Sequence, residues 1–200
     1  ELIHVEREGQ GDYHIYLPEG FSTDREWPLV VPFHWSTGRS SSMVKMWRNA
    51  ADEFGLVLAV PSSRSRMRWT SKDADDVLDM IVDVTSDYPI APERIYSSGF
   101  SAGANFAYRM MLTQPGLFRA VGPFGGRLNI KSGELDRFDA PAQTRLCIFH
   151  GRRDETIKYK HAVRAASRLS REGFEVRTRT YNQGHWLRPD YGSTMWQCLS

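Results

Sequence analysis

Short apolar runs alternate with amphipathic helical patterns along almost the whole chain, and this alternation constrains the fold more than any other feature. Residues 28–33, PLVVPF, are nearly all apolar, as expected of a strand that is covered on both faces. Further strands are predicted at 12–17, 56–60, 94–99, 120–124, 145–150 and 175–181. Helices are predicted at 41–53, 73–88 and 158–172, after Ser101 as far as Thr113, and in the tail from Asp190.

Strands that are separated by helices form a mostly parallel sheet with helices on both faces. The chain has 200 residues, with no internal repeat and no stretch that resembles a linker, so we expect one α/β domain spanning residues 1–200. In open parallel sheets, ligands bind beyond the carboxyl ends of the strands. Candidate functional residues are therefore those in the loops that directly follow the predicted strands.

Ser101 lies at the centre of the sequence Gly99-Phe100-Ser101-Ala102-Gly103. The pattern Gly-x-Ser-x-Gly alone is weak, but here it lies between a predicted strand and a predicted helix, which is the context that a nucleophile elbow requires. Such a sharp turn crowds the backbone, and small residues on either side of the serine relieve the clash. A serine that only caps the helix is the alternative. We interpret Ser101 as a nucleophile.

Asp154 and His185 are the predicted partners of this serine. A serine hydroxyl is a poor nucleophile unless a base removes its proton, and that base needs an orienting carboxylate. Asp154, in HGRRDETI (150–157), and His185, in NQGHWLRP (182–189), each follow a predicted strand. Their order in the chain after Ser101, acid before histidine, is the order expected for this architecture.

Other acids and histidines are weaker candidates. Glu155 is the neighbour of Asp154 and could replace it. His150 ends a strand and is expected to pack near the following turn, whereas His161 lies in a predicted helix and is expected at the surface. The remaining candidates are expected to be ordinary solvated or edge residues: His4, His14, Asp136, Asp139 and Asp190.

Attack of a serine on a carbonyl group creates an oxyanion, which two backbone N–H groups normally stabilise. One oxyanion-hole donor is expected from Ala102, directly after the nucleophile. The second is expected from HWSTG (34–38), the loop after the strand at 28–33. There Ser36 is preferred over Trp35 as the donor.

Composition excludes several other classes of protein. No apolar run approaches the length of a membrane-spanning helix. The net charge is only +2, without the basic stripe of a nucleic-acid binder, and no residues have zinc-ligand spacing. Cys147 and Cys198 lie far apart in the sequence. A buried free thiol is expected at Cys147, and a disulfide between the two stays open as the alternative.

In these residues the chain resembles the α/β-hydrolase family, and within it the small carboxylesterases related to poly(3-hydroxybutyrate) depolymerases and feruloyl esterases. The resemblance covers nearly the whole chain. It implies a largely parallel sheet of about eight strands, the second of them antiparallel, and a catalytic triad of Ser101, Asp154 and His185. The segments that carry it are YHIYLPEGF, PLVVPFHWSTG, YPIAPERIYSSGFSAGANFAYRM, FRAVGPFGG, HGRRD and GHW.

The chain departs from this family at Trp35, where the family usually has glycine. Glycine adopts conformations that tryptophan resists, so a differently shaped oxyanion loop is expected, with Trp35 lining or narrowing the acyl pocket. Trp69 and Trp186 are further candidate substrate-binding residues. The chain is short between Phe124 and Leu146, where many relatives insert a lid. Little or no lid, and an open site for a bulky or polymeric ester, are therefore expected.

The sequence thus predicts a serine carboxylesterase that forms an acyl-enzyme on Ser101 and needs no metal or organic cofactor. The expected partner is a small-molecule or polymeric ester, with no nucleic acid and no membrane span, and the oligomeric state is not predicted. Three alternatives stay open: a hydrolase of the acyl-protein thioesterase or lysophospholipase type, a hydrolase that cleaves peptides, and a catalytically retired binding module of the same fold. Because relatives are often exported, a secreted or periplasmic location is slightly favoured over the cytoplasm.

Overall fold

The computed structural model describes residues 1–129 and 144–200. In these ranges it contains eight strands: β1 (Leu2–Val5), β2 (Tyr13–Tyr16), β3 (Trp27–Phe33), β4 (Val57–Pro61), β5 (Ile90–Phe100), β6 (Ala120–Phe124), β7 (Arg145–Gly151) and β8 (Val176–Tyr181). The same ranges contain five helices: α1 (Ser40–Phe54), α2 (Ser71–Asp87), α3 (Ala102–Thr113), α4 (Lys160–Arg171) and α5 (Tyr191–Leu199). Each predicted strand and helix is present within a few residues of its predicted bounds, and β1 is an additional strand.

The strands form one sheet in the order β1-β2-β4-β3-β5-β6-β7-β8. Strand β2 is antiparallel to both of its neighbours and all the other pairs are parallel, as the family resemblance implied. The order reverses between β3 and β5, because β4 lies on one side of β3 and the later strands on the other. Ligands bind at such a switch point in open α/β sheets. There Phe33, the last residue of β3, pairs with Gly99 of β5.

Two apolar layers cover the sheet, one on each face. Leu29, Val31 and Phe33 of β3 point into a cluster shared with α2, α3 and α4, whereas Val30 points into a second cluster with α1 and α5. Successive residues of a strand face opposite sides, so a strand with helices on both faces must be apolar at nearly every position. This explains the unbroken run PLVVPF and fixes β3 in the centre of the molecule.

The two cysteines form a disulfide, so the expectation of a free thiol at Cys147 was wrong. Cys147 lies buried in β7 and is bonded to Cys198 of α5. Helix α5 packs against the face on which the Cys147 side chain lies, and this tertiary contact, which sequence spacing does not encode, brings the sulfur atoms together.

Two expectations concern residues outside the described ranges. Asp136 and Asp139 lie there, as does much of the segment between Phe124 and Leu146 in which relatives insert a lid. Among the helices of the described ranges, none has the length and apolar character needed to cross a membrane.

Candidate active site

Ser101 lies in a strained turn between β5 and α3. Its φ of 56° is in the left-handed region, which residues other than glycine rarely adopt. A Cβ atom at Gly99 would overlap the carbonyl oxygen of Gly103, and one at Gly103 would overlap that of Phe33 and lie 2.6 Å from that of His34. Both glycines are therefore required by close backbone approach, as predicted for a nucleophile elbow, and the turn projects the serine beyond the end of the sheet.

Asp154 lies in the turn that follows β7, with only 5% of its surface exposed. Its Oδ1 accepts hydrogen bonds from the N–H groups of Thr156, at 3.0 Å, and Ile157, at 2.7 Å. These two backbone donors stabilise an ionised carboxylate and fix its rotation. The second oxygen, Oδ2, is thereby directed away from the turn and towards His185.

His185 bridges Asp154 and Ser101. Its Nδ1 lies 2.6 Å from Asp154 Oδ2, and its Nε2 lies 2.8 Å from Ser101 Oγ. A carboxylate accepts and does not donate, so Nδ1 carries the hydrogen and Nε2 accepts the serine hydroxyl. The imidazole also packs against the ring of Phe100, at 4.7 Å between centroids. The structure thus brings together three residues from separate loops, 84 positions apart between Ser101 and His185.

The weaker candidates lie elsewhere, with one exception. Glu155 is exposed, and Asp190 pairs with Arg188. His4 stacks on His14 at the edge of the sheet. The exception is His150, which is buried beside Asp154 and donates to the carbonyl group of Ile157.

The loop after β3 lies against the start of α3, where an oxyanion hole is expected. The N–H of Ala102 belongs to the first turn of α3 and so has no partner within the helix. In the loop, the N–H of Thr37 donates to the carbonyl of Arg66 and that of Gly38 to the carbonyl of Trp35. The N–H groups of Trp35 and Ser36 donate to no residue within 1–129 or 144–200. All three predicted donors are therefore available.

His34 shapes this loop, and sequence reasoning did not assign it a function. Its Nδ1–H donates to the carbonyl of Trp35 at 2.7 Å, and its Nε2 accepts from the N–H of Ser63 at 3.1 Å. The Nε1–H of Trp69 donates to the His34 carbonyl at 2.9 Å. Burial lowers the pKa of His34, which favours the neutral ring that both hydrogen bonds require. The loop is thus tied to the segment after β4.

Trp35 is accommodated without a left-handed backbone. In the described residues, the non-glycine positions with positive φ are Thr37 and Ser101, so the strained conformation of this loop lies two residues after Trp35. The Trp35 ring is half-buried and packs edge-on against Phe100, at 6.1 Å between centroids. The indole therefore lies beside the elbow, next to the residue that precedes Ser101.

A cavity of about 670 Å³ opens beside the elbow. Its lining includes Ala102, Phe106 and Arg109 of α3 and, from the segment after β4, Arg68 and Trp69. The Trp69 ring stacks on Phe106 at 4.6 Å, so it is both core and cavity wall. Trp186, directly after His185, is 50% exposed and is not among the described residues that line this cavity.

A family model described as phospholipase/carboxylesterase matches residues 41–191, a segment that contains Ser101, Asp154 and His185. The chain belongs to this family. The predicted resemblance to α/β-hydrolase carboxylesterases is thereby confirmed.

Curated relatives of this phospholipase/carboxylesterase family member include two esterases. A bifunctional acetylxylan esterase/xylanase of Neocallimastix patriciarum is 28% identical over 157 residues, which are 74% of this chain and 22% of that protein. A probable feruloyl esterase C of Aspergillus terreus is 23% identical over 124 residues, 58% of this chain and 46% of that protein. The chain thus spans less than half the length of these curated relatives.

Solved structures share the fold over the whole chain. A ferulic acid esterase of Anaeromyces mucronatus matches with a TM-score of 0.79 at 15% identity, covering 100% of this chain and 89% of that one. An acetyl xylan esterase of Aspergillus awamori gives 0.75 at 17% identity, covering 100% and 98%. A fluorophosphonate-binding serine hydrolase of Staphylococcus aureus gives 0.78 at 15% identity, covering 100% and 96%. These likenesses confirm the α/β-hydrolase fold.

Proposed function

We propose that this chain is a serine carboxylesterase in which Ser101 is the nucleophile, His185 the general base and Asp154 the orienting acid. The observation that supports this most directly is the continuous hydrogen-bonded series from Ser101 Oγ through His185 to Asp154, located on a strained elbow at the switch point of the sheet. Membership of the phospholipase/carboxylesterase family supports the same reaction class.

The mechanism follows from these positions. His185 Nε2 takes the hydroxyl proton as Ser101 Oγ attacks the ester carbonyl carbon, and Asp154 stabilises the imidazolium that forms. The protonated His185 then donates to the alcohol oxygen as the bond from the carbonyl carbon to that oxygen breaks. Water, deprotonated by His185, then attacks the carbonyl carbon of the acyl-enzyme. The bond from that carbon to Ser101 Oγ breaks, and His185 returns the proton to Oγ, which releases the carboxylic acid and free Ser101.

The oxyanion of each tetrahedral intermediate is stabilised by the N–H of Ala102 and by that of Ser36 or Trp35. The support for this is that these N–H groups have no hydrogen-bond partner among the described residues, together with the contact between the end of β3 and the start of α3. Donors that are fixed before the reaction cost no reorganisation when the charge develops. His34 and Trp69, which fix the loop after β3, contribute to catalysis only through that geometry.

The substrate is a bulky or polymeric carboxylic ester. The cavity beside Ala102 supports this, because its aromatic wall formed by Trp69 and Phe106 gives a large substituent an apolar surface. The curated relatives named for acetylxylan and feruloyl ester hydrolysis point in the same direction. Trp35 contacts the acyl group beside the elbow, and Trp186 extends the contact at the exposed rim.

The protein works outside the reducing cytoplasm, in a secreted or periplasmic location. The support for this is the disulfide between Cys147 and Cys198, because disulfides persist in oxidising compartments and are rare in the cytosol.

Hydrolysis of p-nitrophenyl esters from acetate to palmitate tests the proposed function. Wild type is compared with Ser101→Ala and with Ser86→Ala, a matched change at an exposed serine on α2. We expect turnover and fluorophosphonate labelling by wild type and by the Ser86 variant, and neither by the Ser101 variant. An optimum at long acyl chains would favour the thioesterase or lysophospholipase alternative. Wild-type protein that neither turns over any ester nor labels would favour the retired binding module.

A further inference from the structure

His150 is a buried histidine that the mechanism above does not use. It lies near the end of β7, four residues before Asp154, and is 1% exposed. Its Nε2 lies 2.6 Å from the carbonyl oxygen of Ile157 and 3.5 Å from Asp154 Oδ2. Both contacts are with the turn that presents the acid to His185.

The protonation of the His150 ring follows from these contacts. A carbonyl oxygen only accepts hydrogen bonds, so Nε2 must carry the hydrogen. Burial lowers the pKa of His150, so the ring is neutral at neutral pH and Nδ1 carries no hydrogen. In the described part of the chain, Nδ1 is buried and has no hydrogen-bond partner.

An orphaned buried nitrogen is unfavourable for stability, since it loses its hydrogen bond to water without gaining another. If the side chain at position 150 only filled space in the core, an apolar side chain of similar size would give a more stable protein. The Nε2–H group, in contrast, donates to the carbonyl of Ile157, and Nε2 lies 3.5 Å from Asp154 Oδ2, so both neighbours belong to the presentation of Asp154. The group of His150 that has a structural function is therefore its single hydrogen-bond donor, Nε2–H.

We infer that His150 is a positioning residue for Asp154. Its Nε2–H holds the carbonyl of Ile157, whose own N–H donates to Asp154 Oδ1. The same nitrogen lies 3.5 Å from Oδ2, the oxygen that receives His185, so the positive end of the N–H dipole is close to that oxygen. One donor thus fixes the turn that orients one carboxylate oxygen and favours negative charge on the other. This inference rests on the proposed function, because its consequence is catalytic.

Within the described residues, four other titratable groups surround His150. Asp154 and His185 lie on the side of the site, and both act electrostatically on the ring. The ring of Tyr159, just before α4, lies 6.0 Å away edge-on. His161 of α4 interacts with His150 only weakly. Burial is the main cause that lowers the pKa of His161, and His150 has the smallest effect among the causes.

Substitution at His150 separates the donor from the volume of the ring. In His150→Gln the amide nitrogen takes the place of Nε2, in His150→Asn it takes the place of Nδ1, and His150→Phe keeps the shape without a donor. We expect kcat/KM of the Phe and Asn variants to fall about tenfold to a hundredfold, the loss that a misplacement of about 1 Å can cause. The Gln variant is expected to stay close to wild type.

The pH profile and a double variant test positioning against simple stability. A displaced carboxylate stabilises the imidazolium less, so the acid limb of kcat/KM in His150→Phe is expected to move to lower pH. In an Asp154→Asn background the same change is expected to add little, because the partner is already lost. A lower melting temperature with unchanged kcat/KM and acid limb would overturn the inference, as would a folded Gln variant as defective as the Phe variant.

A measurement on wild type covers the case in which the variants do not fold. Nitrogen-15 NMR of labelled histidine is expected to show the neutral His150 ring with hydrogen on Nε2 and none on Nδ1. A neutral ring with its hydrogen on Nδ1 would overturn the inference even if the enzyme is active. Absence of ester hydrolysis and labelling in wild type would instead overturn the proposed function, so the two failures are distinguishable.

Discussion

Replacement of Asp154 by asparagine tests the geometry of the site most sharply, because the structure fixes which way the new amide must face. Asp154 Oδ1 accepts from two backbone N–H groups, those of Thr156 and Ile157. Backbone donors cannot change their protonation, so the amide oxygen must occupy this position and the NH₂ group must replace Oδ2. The substitution conserves volume, and we expect little change in the melting temperature.

The NH₂ group then faces His185 Nδ1. In the wild-type structure Nδ1 lies 2.6 Å from Asp154 Oδ2, the atom that this NH₂ group replaces. Two donors cannot face each other at this distance, so His185 changes to the tautomer with hydrogen on Nε2. That nitrogen lies 2.8 Å from Ser101 Oγ and can no longer accept its proton. Loss of the base in this way costs about 10⁴-fold in kcat, or about 5.4 kcal/mol of transition-state stabilisation.

The assay is hydrolysis of the best p-nitrophenyl ester at neutral pH, with melting temperatures measured in parallel. Glu155→Gln is the matched control, since Glu155 is the exposed neighbour and its substitution is expected to leave kcat unchanged. An Asp154→Asn variant that is folded and within tenfold of wild type would refute the tautomer argument. Loss of activity in the Glu155 variant alone would reassign the acid to Glu155.

Three further predictions concern the fold. Gly103→Ala forces a Cβ into the backbone at the end of β3, so we expect a destabilisation of about 3 kcal/mol or more in urea unfolding and loss of activity; a variant as stable as wild type would contradict the close approach. Replacing Cys147 and Cys198 by serine removes a disulfide between cysteines 51 positions apart and is expected to lower the free energy of unfolding by about 4 kcal/mol. The measurement is the melting temperature, and reductant is expected to lower it equally in wild type. Burial alone would raise the pKa of Asp76, but hydrogen bonds, above all the one from Arg64, outweigh burial and lower this pKa. These hydrogen bonds therefore stabilise the folded protein at neutral pH, and this stabilisation is lost as the pH falls through the folded-state pKa. Asp76→Asn should therefore lower the melting temperature by several degrees at pH 7 and by much less in acid, and an equal loss at both pH values would contradict this.

The order of strands and helices could be predicted because strands that are buried on both faces of a parallel sheet are apolar at nearly every position. The run at β3 is apolar throughout, and α2 has its buried residues on one face. Strand β1 does not show this pattern, because it is a half-exposed edge strand of mixed composition. Its place in the sheet comes from pairing with β2, a tertiary contact that periodicity does not reveal.

The residues of the proposed triad could be identified from the sequence because each lies directly after a strand and the chemistry restricts the residue types. The contacts that hold these residues in place could not be predicted from the sequence. His34 is linked to Ser63, and Cys147 to Cys198, through contacts that depend on how loops and helices meet in space. From the sequence, His150 is only a residue at the end of a strand, since its contact with Ile157 requires the conformation of the following turn.

The disulfide has a consequence for proteolysis. Bonding of Cys147 to Cys198 closes a covalent ring that contains both Asp154 and His185 and leaves Ser101 outside it. A single cut by a protease within this ring would not release either fragment, so the nicked molecule would migrate as one chain without reductant and as two with it. Asp154 and His185, the proposed acid and base, would stay covalently linked to the part of the chain that carries Ser101 after a break that would otherwise release His185.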